Sequence, residues 1–328
     1  MKRRATMKDV AGRAGVSITS VSHVINKTRK VEARTRALIL AAIEELHYQP
    51  NTLARSLKGK GTKTIGVVIA DIREDFFAEV VGSIEFTASE QQYSVILCDS
   101  EDDLVKERFY LNMLISKEVD GILFAPVDMD STYLFLVESG IPFLQIDRKI
   151  PQLESDYVGI DNVRSAAAAT EHLIRTGSRK IAFIGYDDKV YTQKLRREGY
   201  RNTLTHYGYF NESYRLVVGY HLEVTRDVIK EFFSSHPDVD GVVCGTSNVC
   251  YETIVALDQL GRRIPENIRL ASYDESKWFD YLKFPITVVA QPTEEIGRLA
   301  VDLIIKRIRQ KKKRVFEQVI LDTELIVR

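Results

Sequence analysis

The chain has 328 residues, 45% of them hydrophobic and 28% charged; this is ordinary globular composition, with room for a small domain and a large one, and it excludes the disordered and fibrous classes. The basic start Met1 to Thr6 runs into the polar Lys8-Asp9, and no run of ~18 apolar residues follows anywhere, so neither a secretion signal nor a membrane span is expected. The net charge of zero conceals an asymmetry: residues 1–63 hold fourteen Lys/Arg against four Asp/Glu, a surplus of ten positive charges balanced by the remainder. A basic head on an acidic body suits a protein that holds a polyanion at one end, although a charge run alone is equally a solvated face. Cys98, Cys244 and Cys250 form an odd set without a CxxC pair, as expected of reduced thiols in strands of a cytoplasmic protein.

Thr6-Met7-Lys8-Asp9 has the pattern of a capping box, and Val10, Ala11 and Ala14 supply the apolar stripe of a first helix that Gly15 stops. Ser17 can cap a second helix, Ile18 to Asn26, with Val21, Val24 and Ile25 inward and Thr19, Ser20, Ser22, His23 and Asn26 outward. A third helix, Arg34 to Leu46, is expected to bury Leu38, Ile39, Ala42, Ile43 and Leu46. Helix, short turn, helix and packing helix make the helix-turn-helix arrangement, whose second member lies in the major groove.

The stretches TMKDVAGRAGVSITSVSHVINKTRKV and AAIEELHYQPNTLARSLK resemble the LacI/GalR family of transcriptional regulators, and the head is similar to the purine-repressor branch. The resemblance implies base-edge contacts from Ile18, Thr19 and His23, with Ser20 and Asn26 close by, and DNA-backbone contacts from Thr6, Ser17, Ser22, Tyr48 and Asn51. Many members carry Arg where this chain has His23. Residues 51–58 would make two helical turns, too short to stand alone in water. The family implies that this hinge pairs across a dimer axis and wedges a leucine into the minor groove; Leu57 holds that position here, with Ala54, Arg55 and Lys58 around it.

From Thr64 the text alternates strand and helix. Strands are expected near 65–69, 94–98, 121–125 and 143–146, with helices near 77–91, 105–117 and 132–139. The rhythm restarts after Asp161: a helix at 166–176, strands near 180–184, 242–244 and 269–271, and helices beginning near Tyr191, Thr225 and Val249. A helix at 293–308 and strands at 315–321 and 324–327 close the chain. The expected fold is α/β: an N-terminal all-α helix-turn-helix domain (1–50), a hinge and linker (51–63), and a body (64–328) of two doubly wound parallel-sheet lobes. The resemblance extends through IDR, LASYDES and AQPTEEIG and implies a periplasmic-binding-protein-like body, with lobe 1 near 64–161 and 292–321, lobe 2 near 162–291 and 322–328, and exchanges near Asp161, Gln291 and Leu321.

Ligands of open α/β sheets lie beyond the carboxyl ends of strands. That rule selects Asp147 and Arg148 after FLQI, Asp161 and Asn162 after YVGI, Asp274 after LASY and Gln291 after TVVA; each such Asp is otherwise a helix cap. The family implies Asp147, Arg196 and Asp274 as effector contacts. Phe76 or Phe77 could cover an apolar ring face, with Asn248 and Tyr220 as further contacts and His221 and Trp278 as weaker stacking candidates. Carboxylates beside a planar guanidinium suit a polyol such as a sugar. Purine-binding relatives use an Arg where Val190 stands, so the likeness of the head does not carry purine specificity to the body. No GxGxxG follows the first body strand, and no Gly-x-Ser-x-Gly or HExxH occurs, so no enzyme chemistry, cofactor or metal is expected. The expected partners are a near-palindromic double-stranded operator, a small-molecule effector and a second copy of the chain, with no membrane. The last strand runs to Arg328 without a leucine heptad, which argues against a tetramer built by a C-terminal bundle. A transport solute-binding protein would share the body but would have no use for the basic head.

Overall fold

The computed structural model describes residues 5–26, 29–48, 61–219, 222–310 and 315–328. The chain divides into two units, Met1–Thr62 and Lys63–Arg328. The candidates Asn51, Ala54, Arg55, Leu57, Lys58, Tyr220 and His221, with the expected hinge helix, lie outside the described residues, as does the side chain of Asn26.

In the first unit, α1 (Met7–Ala14) opens as its sequence requires. The Asp9 N–H donates to Thr6 Oγ1 at 3.3 Å, while the Thr6 N–H returns a bond to Asp9 Oδ2 at 2.8 Å. Gly15 ends it at φ 65°, a left-handed turn that glycine adopts without a Cβ penalty. Helix α2 (Ile18–Asn26) follows with the Ser20 N–H on Ser17 Oγ at 3.1 Å, and α3 (Ala33–Glu45) packs across both. Val10, Val21 and Ile39 are fully buried, joined by Ala11, Ala42 and Tyr48. Leu38 departs from expectation at 50% exposed. The buried face of α3 is centred on Ile39 and Ala42, and at 100° per residue Leu38 and the similarly exposed Leu40 fall to either side of it.

The body contains two six-stranded sheets among the described residues. Sheet 1 uses β1 (Thr64–Ile69), β2 (Ser94–Asp99), β3 (Gly121–Phe124), β4 (Phe143–Ile146), β5 (Asp156–Ile160) and β11 (Gln318–Leu321), in the order β11-β5-β4-β3-β1-β2. Sheet 2 uses β6 (Ile181–Gly185), β7 (Arg215–Val217), β8 (Gly241–Cys244), β9 (Arg269–Tyr273), β10 (Thr287–Ala290) and β12 (Glu324–Ile326), in the matching order β12-β10-β9-β8-β6-β7. Helices α4 (Asp75–Glu90), α5 (Leu104–Ser116), α6 (Leu134–Ser139) and α11 (Thr293–Arg309) serve the first lobe. The second has α7 (Asn162–Arg175), α8 (Tyr191–Tyr207), α9 (Leu222–Ser235) and α10 (Ser247–Gln259). Central strands such as β3 and β8 are buried along their whole length, which is why they read as continuous apolar runs.

Three details differ from expectation. Strand β12 runs antiparallel to β10 in an otherwise parallel sheet. The chain leaves β11 at its carboxyl end and enters lobe 2 on that same side, so the last strand has to run back. Helix α7 starts at Asn162, a turn earlier than expected, because Asp161 caps it. Strand β11 begins at Gln318, where pairing with Tyr157 starts, leaving Val315 88% exposed. Of the buried thiols, Cys98 and Cys244 are on strands, and Cys250 is on α10. The chain crosses between lobes after β5, after β10 and between β11 and β12, near residues 161, 291 and 322. No described helix is long and apolar enough to cross a membrane.

Candidate functional site

The head presents α2. Ile18 is 48% exposed at its first position, Thr19 is exposed beside it, and Ser22 and His23 are half-buried further along. An isoleucine left half in solvent in so small a unit gains nothing for the fold; in a major groove its methyls suit a thymine methyl. Ser17 and Ser20 are hydrogen-bonded to each other at 2.9 Å, and the Thr6 hydroxyl donates to Asp9 at 2.7 Å. The Tyr48 ring, expected at the DNA backbone, is packed in the head core at 7% exposed.

In the body, the carboxyl ends of both sheets converge. Asp147 follows β4 and Asp274 follows β9, the same position in the two lobes. Both have left-handed backbones, φ 57° and 67°. Each is pinned from the neighbouring strand: Asp147 N–H donates to Val158 O at 2.9 Å, and Asp274 N–H to Val289 O at 3.0 Å. Tyr157 OH holds the carbonyl of Asp147 at 2.8 Å. Non-glycine residues in this conformation cost free energy and concentrate at functional sites.

Arg196, from α8, is 3% exposed and reaches toward both carboxyls. Its Nε donates to Asn162 Oδ1 at 2.8 Å and its Nη1 to Gly245 O at 2.7 Å, while its guanidinium lies 3.8 Å from the Tyr273 ring centre. A Cβ at Gly245 would stand 2.2 Å from Gln193 Oε1 and would displace that side chain. Arg148 lies over Phe77, 5.7 Å from its centroid, and is paired through two nitrogens with the buried carboxylate of Asp102. Gln291 Nε2 donates to Asp274 Oδ1 at 2.5 Å. Burial pushes Asp147 up to about 6 against the pull of Arg196 and Arg148, and Asp274 is raised for the same reason. Among the buried polar atoms without a protein partner are Asp147 Oδ1, Asn162 Nδ2 and Gln291 Oε1. Unsatisfied groups at this density cost about 1–3 kcal/mol each unless something else completes them.

Of the expected cleft residues, Asp147, Arg148, Arg196, Asp274 and Gln291 come together, and Asn248 is half-buried in the first turn of α10. Phe76 and Phe77 are lobe-1 core, 4% and 1% exposed, so neither offers a free face to a ring. Asp161 is a cap, accepting from Arg164 N–H at 2.9 Å. Trp278 packs on Phe279 at 4.1 Å and edge-on to Tyr251 at 5.8 Å, away from these groups. Sequence reasoning did not reach Glu74, Asp102, Gln193 or Tyr186. Glu74 and Asp102 follow β1 and β2, so the strand-end rule applied to every strand would have found them. Two bonds tie the lobes across the opening: Ser276 Oγ to Asp75 Oδ2, and Met129 N–H to Lys189 O at 3.1 Å.

A groove-reading helix pair and a two-lobed body with an incompletely satisfied polar cleft define a ligand-responsive DNA-binding regulator. Comparison with known proteins agrees. Residues 6–51 match the family described as bacterial regulatory proteins, lacI family, and residues 62–327 match periplasmic binding proteins and sugar binding domain of LacI family. The HTH-type transcriptional repressor PurR of Photobacterium profundum is 33% identical over 99% of this chain and 98% of its own, and that of Aliivibrio fischeri is 35% identical over 95% of each. Among solved structures, a transcriptional regulator CelR-cellobiose complex is 29% identical, with TM-score 0.75 over 99% of both chains. The Lac repressor dimer bound to operator and the anti-inducer ONPF shares the fold, at TM-score 0.87 and 22% identity over 99% of this chain and 98% of that one. The chain belongs to the LacI family: it is a helix-turn-helix transcriptional repressor under the control of a small molecule.

Proposed function

We propose that this repressor works in the cytoplasm as a homodimer on a near-palindromic operator, read by Ile18, Thr19 and His23, and that its effector is a sugar or sugar derivative held between the lobes, with no turnover. The observation that carries the effector reading is the set of buried, partly unsatisfied groups contributed by both lobes: Asp147, Asn162, Arg196, Asp274 and Gln291. Vicinal hydroxyls both donate and accept, which is what such a mixed set needs. The cellobiose in the 29%-identical relative and the sugar-binding description of the matched family support the same class. A ligand touching both lobes prefers the closed arrangement, and only such a difference in affinity can alter operator binding. A half-site arrangement follows from twofold symmetry.

The test is a thermal-shift screen of the full chain against carbohydrates and nucleobases, followed by operator titration with each hit. A carbohydrate that raises the melting midpoint and changes operator affinity supports the reading. A nucleobase that does both, with carbohydrates inert, overturns the effector class and leaves the family unaffected.

A further inference from the structure

Glu74 stands at the entrance to α4, where a side chain would ordinarily cap the helix, yet its carboxyl makes no cap bond. It is 7% exposed, and among the described residues it accepts no side-chain hydrogen bond. Around it are Asp102, Asp274 and Asp71 and the cation Arg148, and the Tyr186 phenol lies across the cleft. Arg148 is already committed to Asp102 through two nitrogens. A buried carboxyl with this company contributes nothing to the fold and costs desolvation.

Other atoms of the cleft are incomplete as well. Gln291 must present its nitrogen to the Asp274 carboxylate, so its orphaned Oε1 is an acceptor. Asn162 presents its oxygen to Arg196, so its orphaned Nδ2 is a donor. Asp147 Oδ1 is a further acceptor without a partner, and the Glu74 carboxyl makes no cap bond. Carboxyls outnumber guanidinium groups as well: Glu74, Asp102, Asp147 and Asp274 face Arg148 and Arg196. A phosphate or carboxylate, which only accepts, would meet the wrong sign and the wrong partners. An ammonium group offers three donors, no acceptor and the missing positive charge.

We infer that the effector carries a protonated amine, that Glu74 is the residue which selects it, and that the ligand class is therefore an amino sugar rather than a neutral or phosphorylated one. The inference rests on the polyol reading of the cleft. Burial, against the pull of Arg148, makes Glu74 hold its proton up to about 8. An ammonium group drawn against it would displace that proton to the buffer.

The test is calorimetric titration of the full chain at pH 6.5. The probes are D-glucose, D-galactose, D-mannose and cellobiose, their amino counterparts, and the hexose 6-phosphates. At least one amino sugar should bind roughly tenfold or more tightly than its parent sugar. The phosphates should not bind, and the amino-sugar heat should vary with buffer ionisation enthalpy as a proton is released. Glu74→Gln should bring the amino-to-neutral ratio to about one, and Glu74→Asp should retain part of it; circular-dichroism melts verify that both variants fold. Equal affinity for parent and amino sugars, or a preference unaffected by Glu74→Gln, overturns the inference and leaves the polyol reading standing. No heat from any sugar, with the protein folded, overturns both.

Discussion

Asp147 and Asp274 occupy the same place in the two lobes, each in a left-handed turn after the third strand of its sheet order and each pinned from the adjacent strand. Arg196 lies within electrostatic reach of both. Closing the lobes brings like charges together, and Arg196 offsets their repulsion.

Replacing one member of the pair separates sensing from DNA binding. Asp274→Ala should abolish the effect of ligand on operator titration while leaving operator affinity without ligand within about threefold, since the substitution is confined to the body. An unaltered dose-response curve would remove Asp274 from the site.

Ile18 is the exposed apolar residue at the start of α2. Ile18→Ala should reduce affinity for the specific operator by about 1–2 kcal/mol, with affinity for random duplex nearly constant. Competition titrations against both duplexes check this, and a parallel loss on the two would make Ile18 a structural residue.

A hydrogen bond from Ser276 to Asp75 joins the lobes. Ser276→Ala should weaken the closed arrangement by about 1 kcal/mol. Small-angle scattering without ligand should then give a larger radius of gyration than for the unaltered protein, with saturating ligand restoring it. Identical scattering from the two proteins would dismiss this role for the bond.

Glu74 also sets a pH dependence. The folded chain keeps its proton to about 8, whereas the unfolded chain gives it up near 4.5. Between those values the folded state binds more protons, so this group's contribution to stability falls as pH rises and levels off above about 8. Asp147 adds the same sign between about 4 and about 6. Glu74→Gln removes the larger part, so its stability relative to the unaltered protein should grow by about 1 kcal/mol or more from pH 5 to pH 8. Denaturant curves that stay parallel across that range would contradict the assignment.

The head was legible almost residue by residue, because capping boxes and left-handed glycines are local signals: Thr6, Asp9 and Gly15 do what their types dictate. Leu38 was misjudged because the width of a helix's buried face depends on how many partners surround it. In the cleft, one rule gave right and wrong answers. Asp147 and Asp274 are free to face a ligand because no helix starts beside them, whereas Asp161 is followed at once by α7 and turns to its backbone. Glu74 escaped notice for the converse reason, since its position imitates a cap that its side chain does not make. Phe76 and Phe77 looked equally suited to a ligand and to a core, and only packing decides between those two.

The three passages of backbone between the lobes also govern how the body can fail. Each sheet takes its outermost strand from the last eleven residues, β11 for one and β12 for the other. A premature stop before Gln318 would therefore strip an edge from both halves at once, and neither half can be excised as a continuous fragment. Damage at the carboxyl terminus is shared by the whole sensor.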